Sequence, residues 1–306
     1  MITFLRRKAL GTGSVRGMTA FLEGVANPKN ISVINHKGYN TRVYRNDKPQ
    51  PEKMDGDYLI RWGCTSPSNT PLERQLNVSA GIHAVSDKKG FRAKLMASAP
   101  HTIPATWFVR DDVQYPAIIR PKHHAQGKNL YVVANRGELD AILDNYQCLQ
   151  NGWYASEVVD KKAEYRVYVV QGRVATVAEK IPDDPNQMAW NVAQGGEFKV
   201  VNWDGWNKLL PAIDICIQAY NESGLDFSGV DVMISKEGKP YVIELNSAPS
   251  LPLLTDGSVS YRQMCMAKCF KYISENGKEK IPYSLKDKYR GVIHPAVCNK
   301  ASMLGG

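Results

Sequence analysis

The stretch GVDVMISKEGKPYVIELNSAPS, residues 229–250, decides the fold. Two runs rich in Val, Ile, Leu and Tyr flank Lys236-Glu237-Gly238-Lys239, a short glycine-containing turn of the kind that joins antiparallel strands, so a β-hairpin is expected. Symmetry about the Glu237-Gly238 bond pairs residues whose numbers sum to 475 and sets Asp231 opposite Glu244. Asn246, two residues on, returns to the same face by strand alternation. Carboxylates facing each other at roughly 5 Å repel, and among apolar neighbours an unpaired charge is expensive. A cation between them relieves both costs, and Mg²⁺ arriving with nucleotide phosphates is the usual ion bound by one or two carboxylates. The competing reading is a solvated strand face whose acids point to water.

Gly229-Val230-Asp231 followed by Glu244-Leu245-Asn246-Ser247-Ala248-Pro249 resembles the magnesium-binding signature of the ATP-grasp fold, and more narrowly that of RimK-like carboxylate-amine ligases. The resemblance implies a mixed α+β and α/β chain in which two β-rich lobes clasp ATP behind a small α/β pre-ATP-grasp lobe. It divides the chain into a basic N-terminal lobe (1–85), a first lobe with a phosphate-covering loop (86–160), a second lobe with the metal hairpin (161–275) and a tail (276–306). It also implies ATP with Mg²⁺ or Mn²⁺ as cofactors, and Asp231, Glu244 and Asn246 as metal ligands.

With 306 residues, 43% of them hydrophobic, the chain can bury a full core. No apolar run approaches the roughly 20 residues of a membrane span, and MITFLRRKALGTGS lacks a signal-peptide core, so a cytoplasmic enzyme without a membrane partner is expected. Six cysteines, at 64, 148, 216, 265, 269 and 298, form no C-x-x-C pair and read as reduced packing groups. Residues 1–100 hold 16 Lys/Arg against 7 Asp/Glu and the remainder 23 of each, so the net charge of +9 belongs to the first third. Such a lobe suits an acidic peptide or protein tail, or nucleic acid, or no particular partner at all.

In the first 85 residues, Ile31-Ser32-Val33-Ile34 and Tyr58-Leu59-Ile60-Arg61-Trp62 read as strands, with a helix near 14–25. Arg61 and Trp62 either face the substrate or are a surface arginine and a packed aromatic. Gly11-Thr12-Gly13-Ser14 lacks the Gly-Lys-Ser/Thr ending of a P-loop. Ser86-Asp87 caps a helix to about residue 98, at whose start the resemblance puts a phosphate-binding base, Lys88, with Lys89 next to it. YPAIIRPKHHAQGKNLYVV, 115–133, holds a buried strand, Ala117-Ile118-Ile119, and resembles the family's nucleotide strand and phosphate-covering loop. Where the family has a lysine this chain has Arg120, so either Arg120 or Lys122 takes the α/β-phosphate contact, and Gln126 and Gly127 lie in the covering loop.

Residues 137–147 suit an amphipathic helix. Glu157-Val158-Val159 resembles the inter-lobe hinge that binds the adenine edge. A second hairpin runs from Glu164-Tyr165-Arg166 through a Gln171-Gly172 turn to Lys180, and the resemblance places Glu164 at the nucleotide and Arg166, assisted by Lys180, on the transferred phosphate. Asn191, Gln194 and Gly195-Gly196 resemble an active-site Asn-x-x-x-Gly-Gly segment, with Gln194 where the family often has a basic residue. Residues 205–223 read as a helix that Pro211 either kinks or starts, and 259–274 as a last helix before a basic tail. The reaction implied is ATP-dependent condensation of a carboxylate with an amine through an acyl-phosphate. An amide ligase acting on a nucleic acid or small metabolite, and a nucleotide-binding protein with a dead site, are the alternatives.

Overall fold

The computed structural model describes residues 1–8, 11–48, 58–124, 127–184, 187, 188, 190 and 196–278. The first sheet, of order β2-β3-β1-β4-β5, comprises β1 (Ile2–Arg6), β2 (His36–Lys37), β3 (Thr41–Arg45), β4 (Tyr58–Trp62) and β5 (Gln75–Leu76). Strand β1 runs parallel to β3 and β4. Helix α1 (Thr12–Glu23) ends at Gly24, whose φ of 67° only glycine adopts cheaply. Residues 31–34 are not a strand, contrary to the sequence reading. Ser32 explains this: its hydroxyl donates to the Ile34 carbonyl and accepts from the Ile34 amide, a local bond that displaces ladder pairing.

The second sheet, of order β6-β9-β7-β8, comprises β6 (Thr106–Trp107), β7 (Ala117–Pro121), β8 (Tyr131–Val133) and β9 (Trp153–Glu157). Helices α4 (Arg136–Asn145) and α5 (Gln147–Gln150) bring Leu139, Leu143 and Leu149 into its core beside Ala117, Ile119 and Val133. Along the chain between these two sheets come α2 (Ser79–Ser86) and α3 (Lys88–Ser98), whose Ile82, Val85, Phe91 and Leu95 pack in the core of the third sheet, and the Asp87 side chain caps α3 by accepting from the Gly90 amide.

The third sheet, of order β12-β11-β10-β13-β14, comprises β10 (Lys161–Val170), β11 (Arg173–Ile181), β12 (Glu197–Val200), β13 (Phe227–Ser235) and β14 (Pro240–Asn246). Val167, Val169, Val177, Val230, Val232, Val242 and Leu245 pack with α7 (Leu210–Asn221) in one core. The short α6 (Trp203–Asn207) precedes α7, so Pro211 marks a start rather than a kink. The β13–β14 hairpin has the expected register at its open end, Asp231 facing Glu244 and Gly229 facing Asn246. Beyond Asp231 it slips by one, Val232 facing Val242, which leaves Ile243 as a bulge.

Helix α8 (Tyr261–Asn276), fixed at its start by a Ser260/Gln263 capping box, joins the first and third sheets. Phe270 packs edge-on to Phe227 at 5.1 Å, and Phe227 stacks on Trp62 at 5.2 Å. Asn77 completes the joint, its Oδ1 accepting from the Asp226 and Phe227 amides and its Nδ2 donating to the Phe227 carbonyl. Arg61 and Trp62 are thus both interior, which corrects the choice between a surface and a substrate-facing arginine. Trp62 is the packed aromatic, and Arg61 donates from Nε to Gln75 at 2.6 Å. Among the described residues no helix is long and apolar enough to cross a membrane.

Candidate active site

Strand alternation builds the site. On β10, Glu164, Arg166 and Tyr168 share one face. The ladders place Lys180 opposite Glu164, Asp231 opposite Arg166 and Glu244 opposite Asp231, so charges line up in rows across four strands. Glycine at 229 gives the row room, since a Cβ there would stand 2.6 Å from Pro249 Cβ and 3.1 Å from Arg166 Cδ. Asp231 is buried and held twice: Arg166 donates from Nε at 2.5 Å and Nη2 at 2.7 Å, and Lys180 donates from Nζ at 2.9 Å. The positive charge that the facing acids demand is therefore supplied, for Asp231, by neighbouring strands.

Lys180 also reaches Glu164 at 3.2 Å, and Lys161 donates to the other Glu164 oxygen at 2.6 Å. Residues three apart normally sit on opposite faces of a strand. The irregularity between Lys161 and Ala163 brings this lysine round. Glu244 accepts from Asn246 Nδ2 at 3.1 Å and lies 3.6 Å from Lys88 Nζ, which donates to the Leu245 carbonyl at 2.9 Å.

Burial alone would raise both carboxyls. Arg166 and Lys180 instead hold Asp231 below its ordinary range, and Lys88, Lys180 and Arg120 hold Glu244 well below. Burial would likewise lower Lys180, yet Asp231 and Glu164 raise it.

From the second sheet, Arg120 comes toward Glu244. Its Nη2 donates to His124 Nδ1 at 2.6 Å, and its buried Nε has no partner. His124 Nε2 then lies 2.9 Å from Tyr154 Oη, and the Arg92 guanidinium stands 5.0 Å over the Tyr154 ring. Burial, then the charge of Arg120, push His124 down to about 2, so it stays a neutral acceptor for that arginine. Lys122 turns to Asp87 at 3.9 Å, and Lys89 lies over the Phe108 ring at 5.9 Å, so neither joins the row. Gly127 has the left-handed φ of 71° expected of a tight loop. Glu157 ends β9, its carboxylate accepting from the Ala105 amide at 3.4 Å, with half-buried Val158 and Val159 leading to β10. Gln126, Asn191, Gln194 and Gly195 lie outside the described residues.

Several neighbours were not singled out from the sequence: Lys161, His124, Tyr154, Arg92, Phe198 and Arg262. Only the doubled His123-His124 beside Arg120 gave a local signal. Lys161 reaches Glu164 along its own strand through the β10 irregularity, and the others reach the site through pairings between distant elements.

Among the described residues no group of three or more His, Cys, Asp or Glu side chains is arranged to hold a metal. Glu244 and Asn246 are nevertheless hard oxygen donors side by side, which fits an ion that draws its remaining ligands from phosphate and water. Asp231 joins them only by exchanging its bonds to Arg166 and Lys180.

A family model described as the RimK-like ATP-grasp domain matches residues 94–258, more than half of the chain. A probable alpha-L-glutamate ligase 2 of Hahella chejuensis is 24% identical over 173 residues, 55% of this chain and 54% of that protein, so the match spans about half that relative's length. A probable alpha-L-glutamate ligase of Vibrio vulnificus is 23% identical over 266 residues, covering 86% of this chain and 82% of that protein. Among solved structures, D-alanine--D-alanine ligase from Bacillus anthracis complexed with ATP superposes with a TM-score of 0.59 at 15% identity, covering 91% and 96% of the two chains. The ATP-grasp ligase PsnB, complexed with minimal precursor, Mg and ADP, does so with a TM-score of 0.55 at 14% identity, covering 90% and 96%. Those likenesses give the fold, and with the family match the conclusion is plain: the chain belongs to the RimK-like ATP-grasp family.

Proposed function

We propose that the protein is an ATP-dependent carboxylate-amine ligase. The observation that carries this is charge imbalance: Lys88, Arg120, Lys161, Arg166 and Lys180 converge on only three carboxylates, Glu164, Asp231 and Glu244. A pocket with surplus cations and an orphaned arginine Nε suits a polyphosphate. Lys88 and Arg120 neutralise phosphate oxygens, with His124 aiming Arg120. Glu164, tied to Lys161 and Lys180, and the hinge at Glu157, Val158 and Val159 hold the nucleoside end.

Glu244 and Asn246, with Asp231 after exchange, would hold Mg²⁺ or Mn²⁺, which when bound shields the charge between phosphates. The substrate carboxylate takes the γ-phosphoryl group and ADP leaves. The amine then attacks the acyl carbon, losing a proton, and phosphate departs as the amide forms. Arg166 and Lys180, which hold Asp231, would stabilise the negative charge on the acyl-phosphate and on the tetrahedral state. Asn191 belongs with this group in the reading. The relatives described as alpha-L-glutamate ligases make an amino acid the first amine to try. The basic first third favours an acidic peptide or protein tail as the acid, in a soluble cytoplasmic setting.

The test is ADP release and mass-spectrometric detection of condensation across amino acids and acidic peptides with ATP and Mg²⁺. Amide product formed in proportion to ADP is expected. Nucleotide binding without any product would overturn the ligase reading in favour of a nucleotide-binding protein. Product only on DNA, RNA or a small metabolite would replace the peptide substrate.

A further inference from the structure

Arg262, on α8, is only 6% exposed. Its guanidinium stands 4.9 Å from the centroid of the Phe198 ring, and Arg166 stands 5.0 Å from the same ring. Its Nη1 donates to Tyr168 Oη at 3.3 Å, and that hydroxyl donates onward to the Ser250 carbonyl at 3.0 Å. Among the described residues no carboxylate reaches it. Its neighbours on the charged face differ: Arg166 and Lys180 hold Asp231, and Lys161 and Lys180 hold Glu164.

Arg92 is also buried without an acid, yet it has a hydroxyl, a carbonyl and a ring face as partners. Arg262 has one long bond to a phenol and one ring, which leaves most of the five donors of a guanidinium unused. A cation only 6% exposed that meets no acid is costly to keep, and its place beside the charged cluster argues for a ligand.

Phe198 faces Lys180 directly in the β11–β12 ladder, so a group held by Arg262 lies next to Lys180 and Arg166. A planar fork with free donors takes a carboxylate or a phosphate bidentately, and in the proposed site Lys88 and Arg120 already meet the phosphate oxygens, which leaves a carboxylate for Arg262. Resting on the ligase reading for its chemistry, we propose that Arg262 binds a substrate carboxylate that the reaction does not consume, either the free carboxylate of an amino acid serving as amine or a second carboxylate on the acid. The ligase is thereby selective for substrates that stay anionic after condensation.

The experiment is equilibrium binding to the full chain with ADP and Mg²⁺ present. One arm uses the twenty amino acids against their primary amides. The other uses glutarate and N-acetyl-glutamyl-glutamate against their monoamides. Arg262→Met removes the charge at similar length, and Arg262→Lys keeps it without the fork. In the arm that reports the true source, the wild type should prefer the carboxylate form by about tenfold, the worth of one charge-assisted contact. Arg262→Met should abolish that preference and Arg262→Lys should retain part of it. Should the methionine variant fail to fold, the lysine variant carries the test through its reduced preference.

Equal binding of acids and amides by the wild type, or a preference unchanged in the folded variants, overturns the proposal. ADP release is measured in parallel. Carboxylate binding through Arg262 without ADP release would leave this site standing and sink the ligase reading, and ADP release with a preference indifferent to Arg262 would do the reverse.

Discussion

In the N-terminal sheet, Arg6 and Arg61 are buried and both donate to neutral acceptors, with Asp47 acting on Arg6 through its charge. Arg6 donates to the Val33, Arg7 and Lys8 carbonyls, and Arg61 to the Gln75 side chain and the Cys64 carbonyl. In the C-terminal sheet, Arg166 and Lys180 are also buried, 9% and 6% exposed against 2% and 3% for Arg6 and Arg61, but they meet carboxylates. Burial lowers Arg6 and Arg61. It would lower Arg166 and Lys180 as well, and there Asp231 overrides it and raises both. The lesson is about exchange. Carbonyls of the chain cannot be displaced without unfolding a segment, whereas a carboxylate's hold on a cation can pass to a phosphate or a metal with the strands in place. One sheet uses buried charge to fix a loop, and under the proposed function the other holds it for a ligand.

The contrast breaks first at Asp231. Asp231→Asn leaves Arg166 and Lys180 buried without their acid and should cost about 3–5 kcal/mol in urea unfolding. Because this carboxyl is held below its ordinary range, the stability it confers is present above about pH 4 and lost as pH falls further. A loss below 1 kcal/mol would mean that the pair is already open. Next comes Glu244→Gln, expected to lower kcat for ADP release by about 10²–10³-fold with an unchanged circular dichroism spectrum. Wild-type turnover in that variant would remove the site from this hairpin, and chelation of divalent ions should stop the same reaction.

Arg61→Met sharpens the comparison from the other sheet. It should cost about 1–3 kcal/mol through its abandoned acceptors, and kcat of the folded protein should stay the same. His124 gives an effect that depends on pH, comparable in size to that of Arg61→Met between pH 7.5 and 5. The folded protein keeps this ring neutral down to about 2, whereas the unfolded chain takes up a proton below about 6.5. Stability should therefore fall as pH drops through that window, by up to roughly 1.4 kcal/mol per pH unit. His124→Gln should flatten the slope, measured as unfolding midpoints at pH 5 and 7.5. Smallest is Lys122→Gln, which gives up a half-exposed contact with Asp87 and should change stability by less than about 0.5 kcal/mol. A tenfold rise in KM for ATP there would return the phosphate contact to Lys122.

Features whose causes are local were legible. The Lys236–Lys239 turn and flanking alternation fixed which residues face each other at the open end of the β13–β14 hairpin, though not the slip beyond Asp231, and Asp87 announced the start of α3. Strands β1 and β3 were not legible, because a parallel ladder pairs segments far apart and leaves no turn between them to read. Residues 31–34 misled for the opposite reason, a β-branched run undone by one hydroxyl. At the site, Arg120 and Lys122 stood two apart with equal claim, and the bond to His124 together with the Lys122–Asp87 contact separates them.

By itself, then, the sequence determined the two strands and the turn of the β13–β14 hairpin and the order of chemical groups along them, since period and turn chemistry act over a few residues. Tertiary structure alone decided which cation answers which acid. Arg166 and Lys180 meet Asp231 across 65 and 51 residues of chain, and Arg262 reaches Tyr168 across 94. Such pairings follow from how strands and a helix stack, and no short-range pattern encodes them.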